Sequence, residues 1–508
     1  VKAYVGKEEG LALKFVNEAI ARDSFYYDAW MLRSQLLQRN GDFNAAASSM
    51  SSAMRLRPGE QSKYGVQWCG LLHRAGSYQQ ALDIWESLDV NMDDEGSDER
   101  KLLEASLYFS VHAVSHPELV EATPLKGYVN TDRAEYYPAI FVSSDRMIFT
   151  RQVGIDGRFN GQEDFFEAKE INGIWEDMGA VRGVNTSGNE GAPSIRGDGR
   201  RLIFTACETL RDGYGPRRGQ GSCDLFEAEW NASIGAYDQA VNLEVLNTRY
   251  WESQPSLSAD GNQIYFVRAQ RNEEGLTEQN IWYSIRNRSE EWGIPKRLSS
   301  VINTIGKEEN PVLHPDGKTL YFASDGHPGL GGVDLFVSRM SSAGEWMTPV
   351  NLGYPINTSG DENSLQVFPN GRRALFASDR GQPGNLDLYE FDLPLELQAE
   401  SVLDWSGRVF DDETGISVEA NVVVYNALGK QLCSMKSDRV DGVFSLPIRA
   451  DSILTFEVNH PDYGFYHQTW SFSHKDSSKA KAHAFFEIPL TRLEVGTVLL
   501  LRDVKFET

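Results

Sequence analysis

The stretch Asn303-Thr304-Ile305-Gly306-Lys307-Glu308-Glu309-Asn310-Pro311-Val312-Leu313-His314-Pro315-Asp316-Gly317-Lys318-Thr319-Leu320-Tyr321-Phe322 occurs five times in the chain with the same landmarks. The other copies open at Asn130, Asn185, Asn247 and Asn357, each preceded by an aliphatic residue and followed by threonine. Five residues after each Asn stands a glutamate: Glu135, Glu190, Glu252, Glu308 and Glu362. Eight residues after it stands Pro138, Pro193, Pro255 or Pro311, with Leu365 in the fifth copy. Nineteen residues after it stands Phe149, Phe204, Phe266, Phe322 or Phe376. Units repeated in this way cannot bury their own apolar faces and must stack on their neighbours.

Within the quoted copy, Val312-Leu313-His314 is a short apolar strand and Asp316-Gly317 a tight turn, because glycine tolerates positive φ. Leu320 to Ala323 is a second strand, and Asp334-Leu335-Phe336-Val337, beyond a Gly-rich loop, a third. Trp346 opens a fourth stretch, as Trp175, Tyr237 and Trp292 do in other copies. Four short strands per unit read as one blade of a β-propeller. The turn recurs as Asp198-Gly199, Asp260-Gly261 and Asn370-Gly371, whereas the first copy has Ser143-Ser144. The fifth copy stops after its third strand, at Tyr389, and a matching fourth stretch, Ala122-Thr123-Pro124-Leu125, lies ahead of the first. The N-terminal strand is therefore expected to complete the last of five blades and remove an open sheet edge. The Asp-Gly turn, the aromatic before Ser-Asp (Phe322 to Asp325, Phe376 to Asp379) and the Asp-Leu-Phe strand resemble the PD40 repeats of TolB-type, WD40-like propellers.

Residues 1–115 read as helical. Gly41-Asp42-Phe43 before Ala46 recurs as Gly76-Ser77-Tyr78 before Ala81, and Ala12 and Ala19 match Ala46 and Ala53. This resembles tetratricopeptide (TPR) repeats, whose small alanines let paired helices approach closely. Such a stack implies either a groove for a protein partner or a shoulder docked on the propeller. Residues 116–395 are assigned to the propeller and Leu393 to Leu403 to a linker. Short strands spaced over 404–490 suggest a small sandwich. There, Gly407-Arg408-Val409-Phe410, Thr414-Gly415, Asp441-Gly442-Val443-Phe444 and Tyr463-Gly464 resemble the carboxypeptidase regulatory-like domain. That family is a transthyretin-like sandwich without catalytic activity of its own. Residues 492–508 read as a linker, or as the start of an OmpA-like domain: Gly496 to Phe506 resembles its lead-in. That resemblance implies a peptidoglycan-binding continuation past Thr508. The expected fold class is multidomain α + all-β: N-terminal TPR helical repeats, five-bladed β-propeller, transthyretin-like β-sandwich.

A chain of 508 residues exceeds one ordinary core. Its net charge of −24 argues against nucleic acid and against an anionic membrane surface. No apolar run reaches the roughly 20 residues that span a bilayer. Of four cysteines, Cys69 and Cys433 fall in helical and strand patterns and are expected to be buried and inert. Cys207 and Cys223 flank a loop between neighbouring strands, either as two thiols or as a disulfide. A disulfide there would contribute roughly 3 kcal/mol and would need an oxidising compartment.

The five glutamates are the feature nearest to acid–base chemistry, yet a catalytic pair needs carboxylates in different environments. Five equivalent ones point to a structural role, each Glu accepting backbone N–H bonds and each Asn forming an Asx-type turn. No Gly-x-Ser-x-Gly elbow, HExxH, CxxC or phosphate-binding loop is present, so no catalytic residue, metal or cofactor is assigned. Calcium at the loops Asp325 to Asp334 and Asp379 to Asp387 competes with a plainer reading as Gly-rich connectors. The order of modules resembles PorE-type proteins of the type IX secretion and gliding machinery in Bacteroidota. The resemblance implies a non-enzymatic periplasmic scaffold of an outer-membrane-associated complex. Its partners would be protein subunits, and peptidoglycan through the further C-terminal domain. The alternative is a glycan-binding or glycan-processing propeller of a polysaccharide-utilisation system, marked by unpaired acids and exposed aromatics at one channel mouth. A ligand-sensing propeller is a third reading.

Overall fold

The computed structural model describes residues 2–89, 96–155, 158–209, 213–271, 277–287, 289–382, 385–449, 453–471 and 483–494. The expected OmpA-like start at Gly496 to Phe506 lies outside them. Six helices come first: Lys2–Arg22, Tyr27–Arg39, Phe43–Leu56, Gln61–Arg74, Tyr78–Ser87 and Ser97–Ser115. Each packs on the next. Gly41 and Gly76, with φ of 77° and 72°, make the sharp turns between helices. Asp42 then caps the third helix by accepting from the Ala45 N–H. Ala46, Ala53 and Ala81 are fully buried, and Met50, Met54, Trp68, Leu72 and Trp85 fill the space around them.

Five antiparallel sets of strands follow, called sheets below; the second and third are joined into one nine-stranded sheet by a parallel pairing of Trp251 with Cys223. The first contains Glu135–Ile140, Arg146–Ile155, Arg158–Ile171 and Ile174–Ala180. The second contains Asn189–Ile195, Arg201–Cys207 and Cys223–Asn231, with two short outer pieces. The third runs Trp251–Leu257, Gln263–Arg271, Thr277–Ile285, Lys296–Arg297. The fourth runs Glu308–Leu313, Thr319–Ser324, Asp334–Arg339, Val350–Asn351. The fifth has Asn363–Val367, Arg373–Gln382 and Asn385–Asp392, and its outer strand is Thr123–Pro124, paired with Glu390 and Tyr389. The first strands of the five sheets touch one another in cyclic order around a shared cavity, a propeller-like arrangement. Each first strand carries a bulge, and the residue seven after the repeat Asn sits there at positive φ: Tyr137, Ala192, Gln254, Asn310 and Ser364. A bulge bends and twists the strand, which tightens the ring at one level in all five sheets.

The repeat Asn residues do not form the Asx turns expected of them. Each side-chain amide instead pairs like a strand residue with the third strand of the preceding sheet. Asn185 accepts from Phe165 N and donates to Phe165 O, both at 2.9 Å. Asn247 does so with Leu225, Asn303 with Ile281 and Asn357 with Leu335. Asn130 reaches back across the chain's longest gap in the ring and pairs with Leu388 of the fifth sheet at 2.8 and 2.9 Å. An Asx turn satisfies only local groups; here the amide oxygen supplies the acceptor that the third-strand N–H lacks, and the amide N–H adds a second donor to a carbonyl already bonded by the next stretch, as Leu243 N–H bonds Leu225 O.

The sandwich has two sheets. Val402–Asp411 lies between Val443–Arg449 and His483–Leu490, and Gln431–Lys436, Asn421–Asn426, Ile453–Asn459 and Tyr466–Ser471 form the other. Trp405 is buried at its centre, 3.8 Å from the Phe456 ring. The expected linker is shorter than Leu393 to Leu403, since Val402 and Leu403 already belong to a strand. It is also held: Tyr321 Oη donates to Leu397 O at 2.7 Å, and Leu397 and Ala399 are buried.

Both flanking units are bonded to the ring. His73 Nε2 lies 3.1 Å from Gly329 O, Ser106 Oγ accepts from Gly329 N, and Arg74 reaches Asp361. His73 is buried there and its imidazole is pushed down to about 4, chiefly by desolvation. On the sandwich side Arg200 is clamped between Asp438 and Asp441 at 2.7 and 2.5 Å.

Replacing Asn247 by Ala strands Leu225 N–H in the interior and leaves Leu225 C=O with the Leu243 N–H alone. The expected loss is about 3 kcal/mol of unfolding free energy, read from the urea midpoint at unchanged slope. A loss below about 0.5 kcal/mol, the range of an ordinary surface substitution, would show that the clamp does not hold the sheets together.

Candidate functional site

The five glutamates are buried and stapled to the threonine that follows each Asn. Glu135 takes Thr131 Oγ1 at 2.6 Å and Thr131 N at 3.1 Å. Glu190, Glu252 and Glu362 bind Thr186, Thr248 and Thr358 through the same atoms, whereas Glu308 takes both Thr304 groups on Oε1. Among the described residues an arginine completes the site in three sheets: Arg151 Nε on Glu135 at 2.7 Å, Arg217 Nη1 on Glu190 at 2.6 Å and Arg268 Nε on Glu252 at 2.7 Å. Each arginine also donates to the carbonyl just before the repeat Asn, on Val129, Val184 or Leu246. Each lies over the repeat Phe and an aromatic of the third strand. This cation–π seat explains why a Phe recurs at that position.

The fourth sheet departs from this pattern. His327 takes the seat, with Nε2 2.9 Å from Ile302 O and its ring beside Phe322 and Phe336. Burial pushes that imidazole down, so it is held neutral. Glu308 therefore has only Thr304 and the Ser324 hydroxyl at 3.2 Å, and its Oε2 has no protein partner. Desolvation pushes it up to about 7. In the fifth sheet Glu362 lies beside Asp334, which burial and that carboxylate push up to about 8. Asp334 holds its loop by accepting from Leu330 N and Asn351 Nδ2. Among the described residues no group of three or more His, Cys, Asp or Glu is placed to hold a metal ion. Sequence reading missed the arginines because only Arg151 and Arg268 share a repeat position, 21 residues after Asn, whereas Arg217 comes from a loop.

Cys207 and Cys223 are joined by a disulfide across the ends of two paired strands. It closes the loop that carries Arg217. Cys69 is buried and Cys433 half-buried, and desolvation pushes both thiols up to about 12.

The concave site is the central channel. At its waist stand the five bulge residues. Gln254 Nε2 donates to Tyr137 Oη at 3.1 Å across the channel, and Gln254 Oε1 accepts from Asn310 N. None of these five is acidic. One residue earlier in each repeat stand Tyr136, Gly191, Ser253, Glu309 and Asn363, none of which lines the central cavity. Glu163, from the third strand of the first sheet, enters the gap left by Gly191: a Cβ there would lie 3.0 Å from Glu163 Oε2. Glu163 accepts from Tyr136 Oη at 2.5 Å, and Glu309 accepts from Gln279 Nε2 at 2.8 Å. Desolvation raises both carboxyls above their ordinary range. Both in turn help to push the Tyr137 phenol up to about 12, behind burial as the main cause. Neither Glu163 nor Glu309 stands at a shared Asn or Glu position of the repeat.

No protein-family model matches the chain, and none of the curated proteins matches it. Similar solved structures include a thermostable family-43 glycoside hydrolase (TM-score 0.37, 14% identity, 53% of this chain and 91% of that one). A GH43 endo-arabinanase from Bacillus licheniformis is another (TM-score 0.34, 14% identity, 52% and 96%). A TolB protein from Agrobacterium tumefaciens is a third (TM-score 0.32, 11% identity, 65% and 97%). At these scores the likenesses carry no inference about activity.

Glu308 supplies a test of the cation seats. Its folded value lies above the unfolded one, so its ionisation destabilises the native chain increasingly as pH rises from about 4.5 through 7. Replacing Glu308 by Gln is expected to remove a loss on the order of 3 kcal/mol between pH 4 and 8, read from unfolding curves. Replacing Arg268 by Ala should instead cost about 3–5 kcal/mol at pH 8 by stranding Glu252. Equal effects of the two changes at pH 8 would contradict the assignment.

Proposed function

We propose that the chain is a non-enzymatic scaffold in which a TPR-type helical unit, a five-bladed propeller and a regulatory-like sandwich are held as one body. The observation that carries this reading is the pair of polar latches on opposite flanks, His73 and Ser106 on Gly329 and Arg200 on Asp438 and Asp441. Independent tethered modules have no need of buried polar bonds between them; a framework that keeps partners at fixed spacing does. The repeat glutamates support it too, since each is stapled to its own threonine and buried away from the channel. The order of modules, similar to PorE-type proteins of Bacteroidota, supports a place in the periplasm beside an outer-membrane complex of secretion or gliding subunits. Tethering to peptidoglycan would come through an OmpA-like domain beyond Thr508. A nucleic-acid partner is disfavoured by the net charge of −24, and among the described residues no helix is long and apolar enough to cross a membrane.

A second reading, a glycan-binding or glycan-processing propeller, is favoured by one observation: Glu163 and Glu309, both close enough to the channel residue Tyr137 to bear on its phenol, are raised by desolvation. Against it, the aromatic that accompanies Glu163, Tyr136, is buried and offers no exposed stacking face.

The test is affinity capture of the tagged full-length protein from native envelopes, with mass spectrometry of what accompanies it. Envelope-complex subunits are expected. Recovery of no stable partner, together with oligosaccharide turnover by the purified chain, would replace the scaffold with the glycan reading.

A further inference from the structure

We propose that the cleft between the ring and the sandwich binds a small anionic amphiphile, a linear alkyl carboxylate of the fatty-acid type. The site goes beyond the scaffold reading and stands independently of it.

The cleft has a volume of about 660 Å³. One wall is built by the turns between first and second strands of the third and fourth sheets, with Ala259, Pro315 and Lys318. The other is the end of the sandwich where the turn around Leu428 meets the strands carrying Val424 and Leu454. Ala259, Leu313 and Pro315 also line the central cavity, so the cleft lies at one end of the channel. Its volume is that of a small-molecule site, and such sites favour the junction of two domains. A protein epitope would instead need an open face of about 800 Å².

The lining sets the class of ligand. Val424, Ile448 and Leu454 bring the apolar interior of the sandwich to the cleft. Leu428, Leu432 and Ile453 line it as well and are 91%, 52% and 54% exposed. An alkyl chain laid in the cleft removes that surface from water.

Charge sets the head group. The chain has 73 acidic residues against 49 basic ones, so acidic neighbours are plentiful. Yet Lys318 on the ring wall and Lys430 on the sandwich wall have no ion pair among the described residues. The acids of the lining are spent on nearby groups. Asp260 accepts from Ser258 Oγ, Asn262 N and Asn262 Nδ2. Asp316 accepts from Lys318 N, Thr319 N, Thr319 Oγ1 and Glu400 N. Arg449, a third cation of the lining, is paired with Glu400 at 3.1 Å. A cationic amphiphile would meet like charge here, and a neutral sugar would leave both the lysines and the apolar bed unmatched.

The experiment is a calorimetric titration of the whole chain with decanoate, with hexanoate as the shorter chain and decyltrimethylammonium as the opposite head group, each below its micellar range. Decanoate is expected to bind, and affinity to fall by about fourfold for each buried methylene removed. Decyltrimethylammonium is expected to bind about tenfold more weakly than decanoate, although the net charge of −24 draws a cation to the surface at large. Lys318→Gln and Lys430→Gln should each weaken decanoate by about fivefold. Leu428→Ser and Leu432→Ser should each weaken it by about tenfold. All four side chains are exposed, so thermal unfolding should be unchanged. No heat up to millimolar decanoate, hexanoate binding as tightly as decanoate, equal or tighter binding of the cationic amphiphile, or decanoate affinity unaltered in the lysine and leucine variants would overturn the proposal.

Discussion

Everything in this molecule depends on an asparagine side chain acting as a piece of β-strand. Five first strands can surround a channel only if each sheet is fastened to the next; scattered backbone bonds such as Ser222 N–H to Tyr250 O and Glu362 N–H to Val333 O contribute, and the amides repeat the same fastening at every junction. The amides of Asn130, Asn185, Asn247, Asn303 and Asn357 give that fastening a direction, each pairing with both backbone groups of one residue in the sheet before. Asn130 is the one that closes the circuit, and Thr123–Pro124 adds a second, independent seam on the same sheet. Two seams at the junction of first and last sheets are what a ring needs, since that junction lacks chain connectivity.

Beneath the amide clamp runs a charge problem that the sheets solve unequally. A carboxylate buried in every sheet is costly unless matched. Arginine matches it in three sheets. In the fourth a neutral imidazole keeps the carbonyl contact and gives up the charge, and in the fifth the carboxylate lies next to Asp334. The helical unit rests on the fourth and fifth sheets, through Gly329 in one and Asp361 in the other. Arg74 thus brings a cation to that side of the ring from another part of the chain.

Much of this was legible beforehand. The Asn, Glu, Pro and Phe spacing defines where each sheet begins, where its bulge lies and which aromatic faces inward, because those jobs fall on fixed offsets within one repeat. The strand from Ala122 to Leu125 was readable as the missing outer strand for the same reason. What could not be read was anything that crosses between repeats or loops. The role of Asn lay with a strand some twenty residues earlier, and for Asn130 with Leu388, 258 residues away. Arg217 does the work of Arg151 from a different element, so no shared position announces it. Glu163 fits against the next sheet because Gly191 there leaves room, a relation between two unremarkable residues that spacing does not encode. The tail assigned to an OmpA-like start lies beyond the described residues.

The latches at Gly329 and Arg200 make the strongest physical claim here, that helical unit, ring and sandwich move as one body. Small-angle X-ray scattering of the purified chain, recorded from low to high salt, tests it most directly. The account predicts one curve, reproduced by the single arrangement at every ionic strength, since His73 and Arg200 are largely shielded from screening. A curve that needs an ensemble of separated lobes, or that opens as salt rises, would contradict it.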